Sequence, residues 1–239
     1  MYKAICERRS QTHMHVIGST GIGKSKFLEW LIRQDVKSGK GFCVIDWHGT
    51  LYRDVLNYMS VVNPKKPIVL LNPSKPSHVV GFNPFMARGD DIATTVARRM
   101  DAILKPWGMA NTNEAPTLEK VLRMLLHFSV HSGETLANVS MLLHQQHSEL
   151  RDYAVDITQD TFIRDMWMDL QRVNTPREWR EQTMSTSNRL ARFLSSENMR
   201  RFMGRKTGNV DVFEMMEKGG IILVNLAASG HLHEDTGWT

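Results

Sequence analysis

Eight consecutive residues, Gly18-Ser19-Thr20-Gly21-Ile22-Gly23-Lys24-Ser25, constrain this chain more than any other stretch. They meet every fixed position of G-x-x-x-x-G-K-[ST]. Glycines let the backbone curl until successive N–H groups point inward at a phosphate, and the N-terminus of a following helix adds the positive end of its dipole. In such a loop the Lys24 ammonium reaches the β- and γ-phosphates of a nucleotide, and the Ser25 hydroxyl takes Mg²⁺. The flanks agree. The apolar run His15-Val16-Ile17 ends directly before Gly18, and Phe27, Leu28, Leu31, Ile32 and Val36 have the spacing of an amphipathic helix over Lys24 to Ser38. Gly39 and Gly41 stop that helix.

The same texture continues to about Phe85. His15–Ile17, Phe42–Ile45 and Ile68–Leu71 are short apolar runs separated by helix-length or Gly/Pro-rich connections, the pattern of a parallel sheet covered on both faces. Residues 1–89 therefore read as the N-terminal part of a nucleotide-binding core. Residues 90–217 read as an all-helical insertion. There Leu118, Val121, Leu122, Leu125 and Leu126 form a stripe between Pro116 and Gly133; Thr135 starts a second helix; Phe162, Met166, Trp167 and Leu170 mark a third; Pro176 to Ser196 a fourth. Residues 218–239 bring a return strand, Ile221 to Leu226, back to the sheet.

Composition excludes several classes. With 239 residues, 41% apolar and 23% charged, the chain is globular rather than disordered. Two cysteines are too few for a disulfide framework or a thiolate zinc site. The longest apolar runs, Ile221 to Val224 among them, are four residues, far short of a membrane span, and no secretory signal opens the chain. A cytoplasmic location is expected.

A nucleotide site also needs acids. Asp46 follows Phe42–Ile45 at the carboxyl end of an expected strand, where α/β sheets place ligands. It follows Lys24 too closely for the usual metal-binding acid, so two readings stand: an acid assisting the site, or a turn residue at a strand end. Asp46-Trp47-His48-Gly49 also fits the D-x-x-G switch of GTPases, but no N-K-x-D appears downstream, which argues against guanine specificity. His48, in the same turn, is a candidate sensor of the γ-phosphate.

His13 to Ser25, Asp46-Trp47-His48-Gly49-Thr50-Leu51, Asn72-Pro73 and Gly81-Phe82-Asn83-Pro84-Phe85 together resemble the conjugative DNA-transfer ATPases of type IV secretion, in the HerA-FtsK-like group of DNA-pumping motors. The resemblance continues through Gly133-Glu134-Thr135-Leu136, Asn188-Arg189-Leu190, Phe193-Leu194 and Ile221 to Leu226. It implies an α/β fold: a P-loop NTPase core with a RecA-like parallel sheet, here incomplete, and an all-α insertion. It also implies ATP and Mg²⁺ as cofactors, sequence-independent DNA as partner, a homo-oligomer that is a hexameric ring in intact relatives, and association with an inner-membrane secretion machine. Gly18 to Ser25 would bind the nucleotide, with Lys24 and Asp46 in the catalytic roles. The family usually has Pro and Asp where this chain has Trp47 and Thr50, and its Asp-Glu Walker B strand follows later than Leu226. A truncated chain lacking those carboxylates, with weak or absent hydrolysis, is expected.

Nine basic and three acidic residues lie between Arg172 and Lys206, in a chain whose net charge is +5. Arg189, Arg192, Arg200, Arg201, Arg205 and Lys206 are the DNA-contact candidates, since a motor holds DNA through phosphates without reading bases. The alternative is a solvated helix face or pairing with acids elsewhere. His127 with His131, and His144 with His147, share helix faces but lack further ligands for zinc. Trp167 and Trp179 are expected to pack the helical insertion. Two other functions stay open: a non-hydrolysing nucleotide-binding or protein-interaction module working through the helical insertion, and a small-molecule kinase with the basic stretch as lid.

Overall fold

Among the described residues, the strand latest in sequence lies between the two earlier ones. The computed structural model describes residues 13–73, 80–85, 91–105, 107 and 115–227. In it Phe42–Asp46 (β1), Ile68–Leu71 (β2) and Ile221–Asn225 (β3) form one parallel sheet in the order β1-β3-β2. Phe42 and Ile68 both lie opposite Ile221, so all three strands start level. Ile221, Ile222 and Leu223 are buried, as a strand covered on both faces requires.

Helices α1 (Lys24–Lys37) and α2 (Thr50–Val62) cover one face. Between β2 and β3 run α3 (Ile92–Leu104), α4 (Pro116–Ser132), α5 (Leu136–Val139), a 3₁₀ turn (Ser140–Leu143), α6 (Ser148–Ile157), α7 (Thr161–Gln171), α8 (Pro176–Leu194), α9 (Glu197–Met203) and α10 (Val212–Glu217). Val36, Val44, Tyr52, Val55, Met59, Ile221 and Leu223 form the core under α1 and α2. On the opposite face Leu71 and Ile222 pack with Phe202 of α9, and Met215 of α10 lies against them. That cover stops short of β1, whose Ile45 is 67% exposed.

One expected strand is not formed. His15–Ile17 lies outside the sheet, and Ile17 is 80% exposed. A strand is held by its ladder and by burial of alternate side chains; among the described residues this run has neither. It reaches Gly18 without regular secondary structure.

The helical unit is built around α4. Pro116 opens it, where a missing N–H costs nothing, and Gly133 closes it in the left-handed conformation at φ +69°. The expected single stripe understates its burial. His127, Phe128, Ser129 and Val130 are buried as well, because neighbouring helices cover α4 all round. Trp167 and Trp179 both pack in this core. Arg151, also buried, is held by carbonyls: its two terminal guanidinium nitrogens donate to Leu142 O, His144 O and Gln145 O at 3.1, 2.7 and 2.9 Å, and the group lies 4.4 Å from the Trp179 ring centroid. The Trp179 indole N–H donates to Leu143 O at 2.9 Å, so one cation and one indole together hold the 3₁₀ turn.

Residues 80–85 join the two parts. Phe82 N–H donates to Phe202 O and Val210 N–H to Gly81 O, each at 2.8 Å, and the Phe82 and Phe202 rings lie 5.9 Å apart in the sheet-side core. Three residues on, Phe85 is buried in the helical core. Asn83 Oδ1 accepts from Phe85 N–H at 2.9 Å and sets the bend between them.

His127 is the buried ionisable group of α4, and its Nδ1 has no hydrogen-bond partner among the described residues. Burial pushes its pKa below the usual 6.5; nearby Asp160 opposes this and His131 adds to it. The unfolded chain therefore takes up the proton first. Stability is full above pH about 6.5 and falls as pH drops through that value. Replacing His127 with Leu is expected to flatten the midpoint of urea unfolding between pH about 5 and 7. A variant midpoint that still drops as steeply as the wild type would contradict this.

Candidate functional site

Gly18 to Ser25 leads from the segment before it into the first turn of α1. Gly21 and Gly23 adopt φ +89° and +97°, a region closed to ordinary side chains without strain, and these two residues produce the curl. Gly23 is the N-cap of α1 and offers no side-chain oxygen, so the first N–H groups of the helix have no side-chain cap. The Lys24 side chain folds back over the loop, its Nζ donating to Gly18 O and Ser19 O at 2.7 Å each. One ammonium thus ties both carbonyls at the loop's start. Ser25 is exposed beside it on the first turn of α1. N–H groups without a side-chain cap, an ammonium and an exposed hydroxyl meet at one helix start, an arrangement that can cradle an anion.

Asp46 ends β1 opposite Asn225 of β3, and its carbonyl accepts from Leu226 N–H at 2.8 Å. Its carboxylate is buried at 7% exposure and turned on its own chain. Oδ1 accepts from His48 N–H at 3.0 Å and Oδ2 from Tyr52 N–H at 2.8 Å. The second bond satisfies one of the N–H groups left open at the start of α2. The N-cap of α2 is Gly49, at φ +78°; a Cβ there would lie 2.9 Å from Ala227 Cβ and 3.0 Å from Asn225 Oδ1. Asn225 repeats the device, its Oδ1 accepting from Ala227 N–H at 3.0 Å. Two adjacent strand ends are thereby closed by short polar side chains bonding two residues ahead. His48 and Trp47 are exposed on the Asp46 turn.

Lys26, Glu29 and Asp54 escape a reading by motif. Lys26 Nζ lies 2.7 Å from Asp54 Oδ2 and 2.8 Å from Glu29 Oε2, linking α1 to α2. Asp54 first, then Glu29, hold the Lys26 ammonium above its usual pKa, and Lys26 holds the Asp54 carboxyl below its own. The spacing of Lys26, Glu29 and Arg33 on one helix was the available signal.

The basic residues between Arg189 and Lys206 take part in several internal contacts. Arg189 lies 5.4 Å from the Trp107 ring centroid. Arg200 donates to Leu194 O and Ser195 O, closing the end of α8. Arg201 pairs with Glu197 at 2.7 Å, and Lys206 reaches Glu134 at 2.6 Å. Arg192 and Arg205 are exposed. The His144 and His147 rings lie 5.9 Å apart; among the described residues no group of three or more His, Cys, Asp or Glu is placed to hold a metal.

A family model described as the central domain of the helicase HerA matches residues 7–235. No curated protein and no solved structure matches the chain.

Because both Asp46 oxygens hold backbone donors, Asp46→Ala is expected to cost about 1–3 kcal/mol of stability, and Asp46→Asn, which keeps one acceptor, less. Urea unfolding of the two variants checks this; an alanine variant as stable as the wild type would show that the turn does not depend on the carboxylate.

Proposed function

The chain belongs to the family of the HerA helicase central domain, and on that premise we propose that it is the ATP-binding domain of a DNA-translocating P-loop motor of the conjugative-transfer or HerA-FtsK type. The observation that carries this reading is the cradle at the start of α1. Lys24 already sits over the loop, Gly21 and Gly23 provide the curl, and Ser25 is exposed next to the uncapped helix start.

The residues present fit Mg²⁺ and a nucleotide triphosphate. Ser25 offers the hydroxyl oxygen a hard cation takes, and the loop N–H groups with Lys24 offer donors to the phosphates. Bound Mg²⁺ supplies charge neutralisation at the phosphates. The chain's own part is to hold the phosphate tail along Gly18 to Ser25, to present Lys24 as a point charge, and to keep Asp46 and His48 in one fixed turn. The ends of the three strands carry Asp46, Asn72 and Asn225. The single carboxylate among these is held by two backbone donors, which supports slow turnover and an assisting role for Asp46.

The RecA-like reading of the sheet is supported by its parallel strands and by the family. Residues 1–89 and 218–239 then form the core and residues 90–217 the inserted unit. No helix among the described residues is long and apolar enough to cross a membrane; we place the protein in the cytoplasm, at a secretion machine, as subunits of a ring. DNA contact is assigned to the basic stretch. Arg192, Arg200, Arg201, Arg205 and Lys206 are exposed, and of these Arg200, Arg201 and Lys206 also brace the fold, as does the half-buried Arg189. Phosphate contact by such residues gives affinity that falls with salt.

Nucleotide binding and turnover, with and without DNA, in the wild type and Lys24→Ala test this reading. Mg²⁺-dependent ATP binding is expected to weaken about tenfold or more in Lys24→Ala, the loss of a charge-assisted contact. Turnover is expected below about 1 per second, the low end of ordinary enzymes. Equal ATP affinity in both proteins would remove the nucleotide reading. ATP binding with no salt-sensitive DNA binding would favour the non-hydrolysing interaction module, and DNA-stimulated turnover at ordinary rates would overturn the assignment of slow hydrolysis.

A further inference from the structure

α1 carries one buried carboxylate that the function proposed above does not use. Glu29 is 5% exposed, and its oxygens meet two cations of its own helix: Lys26 Nζ at 2.8 Å, and the Arg33 guanidinium one turn on. Both cations also reach α2. Lys26 donates to Asp54 at 2.7 Å, and the Arg33 guanidinium lies 4.6 Å from the Tyr58 ring centroid. Asp54 and Tyr58 stand one turn apart on α2, as Lys26 and Arg33 flank Glu29 on α1. Two turns of one helix therefore grip two turns of the other through a single carboxylate.

What these helices begin with gives the grip its meaning. Lys26 directly follows Ser25 of the phosphate loop. Asp54 comes two residues after Tyr52, whose N–H hangs from the Asp46 carboxylate. The grip thus fixes the loop against the turn that carries Asp46 and His48. An exposed Lys–Asp pair alone contributes little. The buried Glu29 changes this, because an unpaired buried carboxylate is costly and both cations are held in place to satisfy it.

We infer that Glu29 is a positioning residue for the nucleotide site: through Lys26 and Arg33 it sets the phosphate loop and Ser25 at a fixed distance from the Asp46–Tyr52 turn. The inference rests on the nucleotide reading above. It assigns Glu29 no contact with nucleotide or metal.

The test uses the whole chain as wild type, Lys24→Ala, Glu29→Gln and Lys26→Met, with two readouts: ATP affinity with and without Mg²⁺, and amide hydrogen exchange. Glu29→Gln is expected to lower the Mg²⁺ enhancement of ATP affinity about tenfold, as a small displacement of positioned groups does. It is also expected to speed exchange of the Tyr52 and His48 amides about tenfold or more relative to Leu125 in the helical unit. Lys26→Met, which leaves Arg33 paired with Glu29, is expected to move both readouts the same way by less; it carries the test if Glu29→Gln does not fold. A purely structural role would lower stability but leave the Mg²⁺ enhancement intact. An enhancement equal to the wild type in both variants, or unchanged Tyr52 exchange, overturns the inference. If the wild type and Lys24→Ala bind ATP equally, the nucleotide reading itself fails and this inference falls with it; the comparison of those two proteins alone shows it.

Discussion

Pairing of β3 with β1 and β2 at the same time is the constraint on which the rest of the structure depends. β1 and β2 do not touch each other in the sheet, so neither has a ladder until the chain returns from Leu71 to Ile221. A parallel connection always needs a crossover, and here the crossover is the entire helical unit. The return is tight: a Cβ on Gly41 would lie 2.5 Å from the Gly219 carbonyl carbon, so the two glycine-bearing approaches to β1 and β3 can run side by side only without side chains. Closing so long an excursion adds little to the entropic cost per residue, since that cost grows only with the logarithm of loop length. It does make the sheet dependent on contacts far apart in sequence, which slows folding.

That dependence explains why the helical unit is not a loose appendage. Gly81 to Phe85 contributes Phe82 to the core beneath the sheet and Phe85 to the core around α4, with Asn83 fixing the bend. The Lys206–Glu134 pair and the Arg200 bonds to the end of α8 brace the return path on the other side. The arginines proposed to meet DNA therefore sit where the chain also needs cations for itself. Displacing Arg200 or Lys206 toward a phosphate would release carbonyls or a carboxylate that they now satisfy.

The same tension appears at the proposed nucleotide site. Asp46 is at the strand end where an acid would serve a metal, yet its oxygens hold the N–H groups of His48 and Tyr52. Its carboxylate builds the turn, and the turn fixes the start of α2. The hub at Glu29 then sets α2 against α1 and so against the phosphate loop. A site assembled this way depends on helix placement as much as on the residues that touch ligand.

Wherever a residue's own chemistry sets its conformation, the sequence by itself determined the outcome. The curl at Gly21 and Gly23, the start of α4 at Pro116 and its end at Gly133, and the Thr135 and Thr175 caps need only their own neighbours along the chain. The continuous apolar run of β3 needs only a buried place in some sheet. Family membership was likewise readable, because the loop and the Asp46–Gly49 turn are contiguous motifs. What only the tertiary structure decided involves partners distant in sequence. His15–Ile17 stays out of the sheet because a ladder requires a second strand alongside, which no local pattern can supply. α4 is buried all round because helices from both directions along the chain cover it. Asp46 became a cap because Gly49 fits against Ala227, just past the end of the strand beside it, and Glu29 became a hub because α2 brings Asp54 and Tyr58 to the two cations it holds.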